Sequence, residues 1–225
     1  MDRRSLPFAL VLVLTLLLSG SDAHAQSAET QQRVAEAAAV VRTMSTDPQV
    51  SVLIQQAKGL LIVPHFIKAA LIFGTQTGPA LMLVQRNGRW SDPAFYRARS
   101  GSFGAQIGAA KGALVMILTS DKAVEAFTVK APNWSVNVGA GLTAASYSKN
   151  MHPAGSRSDV VIWSDSQGLF GGAAVGATRI ASDERANQEY YEHPDVTSQQ
   201  ILSGLVANPY SNKLREVLAI QRASK

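Results

Sequence analysis

The chain has 225 residues, a formal charge of +5 and a pI near 9.6, and it contains no cysteine. The missing cysteines exclude disulfides, thiolate metal sites, cysteine nucleophiles and a lipidated N-terminal cysteine. Only 16% of the residues are charged, so the basic balance is modest; solubility explains it, and it favours acidic partners such as lipid headgroups or nucleic acid.

The chain opens with a basic head at Arg3-Arg4, an apolar stretch from Pro7 to Leu18, and the tripeptide Ala23-His24-Ala25. These are the three parts of a secretory signal peptide. The apolar stretch falls short of the ~20 residues a membrane-spanning helix needs. Residues 1–25 are therefore expected to be a cleaved leader, with residues 26–225 forming one soluble domain. The charge is unchanged by cleavage, because Arg3 and Arg4 leave together with Asp2 and Asp22. The expected location is outside the cytoplasm, periplasmic or secreted, by either the general or the twin-arginine route.

From Ala28 to about Ser45, Val34, Ala37, Ala38, Val41 and Met44 recur at helix spacing. Asp47-Pro48 restarts the chain as N-cap and first helical residue, and Gly59 ends the second helix. The period then becomes that of strands. Leu60 to Val63 forms one that ends at Pro64. Ala69 to Gln76 and Ala80 to Gln85 flank Thr77-Gly78-Pro79 as a hairpin, and Asn87-Gly88 marks another reversal. Ser102 to Ala109 and Ala113 to Thr119 pair around Lys111-Gly112, the run Leu114 to Leu118 lying deep in the sheet. Asp121 caps a short helix through Phe127. Trp134 to Thr143 alternates as a strand, and Asp159 to Ser164 joins Gly168 to Thr178 in a further hairpin. A short helix starts at Asp195 or Thr197, with Thr197 and Gln200 spaced as a capping box, and Gly204 stops it. Asn208-Pro209 begins a last helix carrying Leu214, Val217 and Leu218.

Helices, then about seven or eight mostly antiparallel strands, then helices again describe an α+β fold. Glycines recurring inside strands favour a curled, barrel-like sheet with the terminal helices packed on it.

The search for catalytic chemistry finds little. His65, His152 and His193 lack metal-ligand spacing, the Gly101 to Gly108 segment lacks the lysine of a phosphate loop, and no Gly-x-Ser-x-Gly occurs. The acids Asp183, Glu184, Glu189, Glu192 and Asp195 read as a solvated face. No enzyme activity, cofactor or metal is expected. What stands out is an interval of charge. Lys58, Lys68, Arg86, Arg89, Arg97, Arg99 and Lys111 are accompanied only by Asp92 as an acid, and Phe66, Trp90, Phe95, Tyr96 and Phe103 are interleaved with them. Cations beside aromatics suit a phospholipid interface. They also suit single-stranded nucleic acid, which export argues against.

Ala57-Lys58-Gly59-Leu60-Leu61-Ile62-Val63-Pro64, with Lys68 and Phe73-Gly74, resembles the opening of the SYLF domain. Trp90-Ser91-Asp92-Pro93-Ala94-Phe95 and Gly101 to Gly108 are similar to its middle. Asp159 to Ser164, Gly168 to Gly172, Asn187, Tyr190-Tyr191 and Ile201 to Gly204 resemble its closing segments. The match runs in order over about residues 30–205. It implies a non-enzymatic lipid-binding module, here an exported bacterial one. Eukaryotic members bind phosphoinositides, some touch actin, and an N-terminal amphipathic segment aids membrane contact, which points to helix 28–45, Lys58 and Lys68. This chain differs from them in its leader, in lacking an SH3 or FYVE partner domain, and in a less basic first helix. Anionic phospholipid is therefore the expected partner, bound through the seven cations. The alternative is an envelope assembly protein acting through protein contacts, with a homo-oligomer left open.

Overall fold

The computed structural model describes residues 27–70, 73–103, 108–128, 134–135, 144–146, 158–165 and 178–223. The leader reading falls outside them. No helix among the described residues is long and apolar enough to cross a membrane.

Helix α1 covers residues 27–44 and buries Thr30, Val34, Ala37, Ala38, Val41 and Met44, the stripe that helix spacing predicts. Helix α2 (Pro48–Gln56) is capped by Asp47, whose side chain accepts from Gln49 N–H. The strands follow: β1 (Gly59–Ala70), β2 (Phe73–Arg86), β3 (Arg89–Trp90), β4 (Ala94–Phe103) and β5 (Gly108–Leu118). Helix α3 (Asp121–Thr128) comes next, then β6 (Trp134–Ser135), β7 (Ala144–Ser146), β8 (Val160–Ser164) and β9 (Thr178–Ser182). Helices α4 (Glu184–Tyr191) and α5 (Ser198–Leu202), a 3-10 turn at Pro209–Ser211 and α6 (Asn212–Ala223) close the chain.

The strands join in the order β6-β9-β4-β2-β1-β5-β8-β7, with β3 attached to β2. Only β7 and β8 run parallel. The α+β class, the helices at both ends and the curled, mostly antiparallel sheet are as expected. Among the described residues the sheet stays open between β6 and β7. Leu60 to Val63, Leu81 to Val84 and Leu114 to Leu118 are buried on both faces, so the sheet is covered on both sides at its centre.

Three turn assignments made from sequence are corrected. Pro64 does not end β1. The strand takes one extra residue between Ile62 and Ile67 relative to β2, and likewise relative to β5, which is a β-bulge. A bulge needs no N–H at the displaced residue, so proline fits there. Thr77-Gly78-Pro79 is no hairpin turn but lies inside β2, paired to Arg99, Ala98 and Arg97. Gly78 is there because the bulge presses on it: a Cβ would sit 2.7 Å from His65 O and 2.8 Å from Val63 Cγ1. Lys111-Gly112 likewise lies within β5, which pairs with β1 and β8 rather than with β4. Residues 71–72 and 104–107 lie outside the described residues.

Other expectations held. Asn87 and Gly88, at φ 48° and 75°, make the turn joining β2 to β3. Thr197 and Gln200 form a complete capping box, and Gly204 stops the helix at φ 80°. The cap of α3 is corrected by one residue: Ser120 Oγ, not Asp121, accepts from Ala123 N–H, and Asp121 is the first helical residue. Of the 134–143 and 168–178 strands, only Trp134–Ser135 and Thr178 lie in described strands; Thr178 opens β9, which pairs with β4 and β6.

Candidate functional site

Backbone pairing determines where the seven cations stand. Lys58 N–H donates to Leu118 O at 2.7 Å, and Gln85 N–H donates to Lys58 O at 2.8 Å. Lys58 thus stands just ahead of β1, beside the end of β2. The Asn87-Gly88 turn sets Arg86 directly opposite Arg89. All three side chains are exposed, and no salt bridge reaches them among the described residues. Like charges facing each other across a strand pair repel, so this end of the sheet is poised for an anion. By register Lys58 falls in the row of Gln85 and Trp90, one residue out of step with Arg86 and Arg89, so the cations splay around the strand ends from both faces.

The other four lie elsewhere. Arg99 pairs with Thr77, nine residues along β2 from Arg86, a separation of roughly 30 Å at ~3.3 Å per residue. Lys68 and Lys111 occupy neighbouring rows in that far half, opposite Ala110 and Ile67; their side chains lie outside the described residues. Arg97 is engaged: its Nε donates to Asp183 Oδ2 at 2.7 Å. The strands therefore build two separate basic regions rather than one continuous surface. The interleaved aromatics mostly turn inward. Phe66, Phe95 and Tyr96 are buried, and Trp90 is half-buried against the core. With both sheet faces covered, alternation sends even the second-face aromatics into the core.

Asp183 is the acid most misjudged from sequence. It is 6% exposed, pairs with Arg97 and caps α4 by accepting from Ala186 N–H. Its spacing ahead of an unbroken helix was the available signal. Glu184, Glu192 and Asp195 are exposed as expected, while Glu189 is half-buried and pairs with Arg185.

A polar seam holds the C-terminal elements onto β4 and had no signal in spacing. Asn187 Oδ1 accepts from Phe95 N–H at 2.7 Å, and Tyr191 Oη donates to Pro93 O. Asp92 Oδ2 accepts from Asn208 N–H, and its Oδ1 lies 2.9 Å from Arg215, without an aligned hydrogen bond on that oxygen. Burial raises the Asp92 carboxyl above its ordinary value, and Asn208 and Arg215 offset this in part. Burial likewise pushes Tyr190 up to about 12. These groups staple the C-terminal elements to β4.

A groove of about 430 Å³ opens between α1 and the sheet. From α1 come Glu36, Ala39, Val40 and Thr43. Pro64 and His65 of the β1 bulge form its floor, and Trp163 and Asp165 stand at the end of β8. Glu36 is held in place by Gln32 Nε2 at 2.9 Å and His65 Nε2 at 3.3 Å. Asp165 Oδ1 accepts from Ala113 N–H. Among the described residues no group of three or more histidines and acids could hold a metal ion.

Comparison with known proteins gives a consistent picture. A family model, Ysc84, described as Las17-binding protein actin regulator, matches residues 99–220, more than half of the chain. Protein YSC84 of Saccharomyces cerevisiae is 30% identical over 162 residues, 70% of this chain and 34% of its own length. SH3 domain-containing protein PJ696.02 of Schizosaccharomyces pombe is 30% identical over 70% of this chain and 37% of its own. SH3 domain-containing YSC84-like protein 1 of Bos taurus is 30% identical over 74% of this chain and 49% of its own. The chain spans between a third and half the length of the curated relatives it matches. No solved structure matches.

Proposed function

Because the chain belongs to the Ysc84 family of SYLF domains, a family of binding modules and not a known enzyme family, we propose that it is a non-catalytic domain that docks on anionic phospholipid membranes. One observation carries this reading: three exposed, unbridged cations, Lys58, Arg86 and Arg89, gathered at one end of the sheet. The formal charge of +5 supports it by favouring approach to an anionic surface. A small polybasic cluster contributes about 1 kcal/mol per cation near such a surface, so contact is reversible and sensitive to salt.

The test is co-sedimentation of the purified protein with neutral and with anionic liposomes at low and high salt. Binding is expected only to anionic vesicles, is weaker at high salt, and falls about tenfold or more in the Lys58→Ala, Arg86→Ala, Arg89→Ala variant. An Arg99→Ala control, in the far basic region, is expected to bind as wild type. Failure to bind any vesicle sinks the membrane reading. It would favour a protein partner, a reading supported by relatives whose names record binding to Las17 and by Leu205 and Tyr210, which are 77% and 60% exposed on the loop before α6.

The proposed setting is outside the cytoplasm, periplasmic or secreted, after removal of residues 1–25. Support comes from the basic head, short apolar stretch and Ala23-His24-Ala25 exit. Intact mass measurement of the protein from its source cells is expected to give a chain beginning at Gln26. A mass that includes Met1 would refute the leader.

A further inference from the structure

We propose that the groove between α1 and the sheet is a second binding site, for a small amphiphilic organic cation: an ammonium head on an apolar body. This does not rest on the membrane reading, whose cations lie at a different place on the sheet.

The groove's volume, about 430 Å³, falls in the range of small-molecule sites. Its walls are mostly apolar, with Ala39 and Val40 on the helix side and Pro64, Ala113 and Trp163 on the sheet side. Two carboxylates stand on its rim, Glu36 and Asp165, and among the described residues the lining holds no lysine or arginine. Both carboxylates are fixed in direction. Gln32 and His65 hold Glu36, and the Ala113 N–H holds one oxygen of Asp165. Orientation of this kind lowers the entropy lost on binding.

Among the described residues of the lining, the formal charges are opposite in sign to that of the whole chain. A +5 protein attracts anions in general, yet this groove presents acids around an apolar floor with an aromatic wall. An ammonium group beside carboxylates and an indole is attracted to both, and the apolar body is removed from water by the walls. An anionic ligand would meet two carboxylates and find no described lysine or arginine in the lining. Pro64 and His65, in the bulged stretch of β1, are part of the lining under α1.

The experiment is isothermal titration of the purified protein with three probes of equal chain length: decyltrimethylammonium, decyl sulfate and neutral decyl maltoside. Each is kept below its micelle concentration. The ammonium probe is expected to bind tightest, against the sign of the net charge. Glu36→Gln with Asp165→Asn should weaken it about tenfold while leaving the neutral probe unchanged. Ala39→Phe, a substitution at an exposed helix position that fills the groove, should weaken both. Glu36→Gln alone serves if the double variant loses its fold by circular dichroism, with a smaller loss of the same kind expected. Decyl sulfate binding as tightly as the ammonium probe, or ammonium binding unchanged by Glu36→Gln and by Ala39→Phe, overturns the proposal.

Discussion

Asp92 lies where three segments meet, with its side chain 1% exposed and its two oxygens turned toward Asn208 and Arg215. An ionised carboxylate in that position is tolerated only because those partners face it. Arg215→Ala would leave the charge buried and half-compensated. The expected loss is about 2–4 kcal/mol at neutral pH, below the value for a fully enclosed pair because Arg215 is 35% exposed. The pH dependence has a definite sign. Burial raises the folded carboxyl above its unfolded value, so the folded state holds this proton more tightly. Its contribution to stability is complete below the ordinary aspartate range and is lost as pH rises through the raised value. Removing Arg215 takes away one of the two influences that lower that value, so the variant loses more over the same rise. The gap in urea midpoint between wild type and variant should therefore narrow as pH falls from about 7 toward 4. A gap independent of pH would show that Arg215 acts through packing and not through Asp92.

At the scale of elements, β1 and β2 are shaped by a matched irregularity, the bulge on one and Gly78 on the other. Gly78→Ala would drive a Cβ to 2.7 Å from the His65 carbonyl, a backbone atom that cannot swing aside. The cost is expected at about 1–3 kcal/mol, read as a lower denaturant midpoint with an unchanged slope. Gly204→Ala is the informative contrast. Nothing lies within 4 Å of that added Cβ, and its cost of about 1 kcal/mol comes from φ 80° alone. Equal losses at the two sites would argue that the bulge does not press on β2. The same pair of strands shows what sequence reveals and what it conceals. The helix stripe of α1, the capping box of α5 and the Asn87-Gly88 turn are local patterns and were legible. Pro64 and Thr77-Gly78-Pro79 look like punctuation in one dimension. Only the neighbouring strand shows that one is a bulge and the other the space that receives it. For the candidate surface, the residue types were legible. Their division between two ends of the sheet was not, because it depends on strand lengths that these misread turns had halved. Asp183 was misread for a similar reason: its partner, Arg97, is distant in sequence and adjacent in the fold.

For the whole molecule, charge and shape work at different places. Under the two proposals the net positive charge would act at long range, on approach to an anionic surface, whereas the acids on the groove would act only on a ligand already close. The two proposals are separable by experiment for this reason. Salt should weaken vesicle binding strongly. It should weaken groove binding less, since apolar burial supplies much of the latter.

The seam between β4 and the C-terminal elements also governs when the fold can exist. Phe95 N–H waits for Asn187 and Asp92 waits for Asn208 and Arg215, while β4 gains β9 only after most of the chain has been made. A nascent chain that has just emerged through β5 lacks β9, so β4 has no partner on that edge, and it also lacks α4 and α5, which pack on β4. Such contacts between distant parts of a chain are slow to form, because the entropy of a long loop must be lost first. A polypeptide ending at residue 186 should accordingly show no cooperative thermal transition by circular dichroism. A sharp melt near that of the full chain would contradict this. In a cell the interval before the last residues appear is one in which the unpaired edge of β4 is open to holding factors that bind exposed strands.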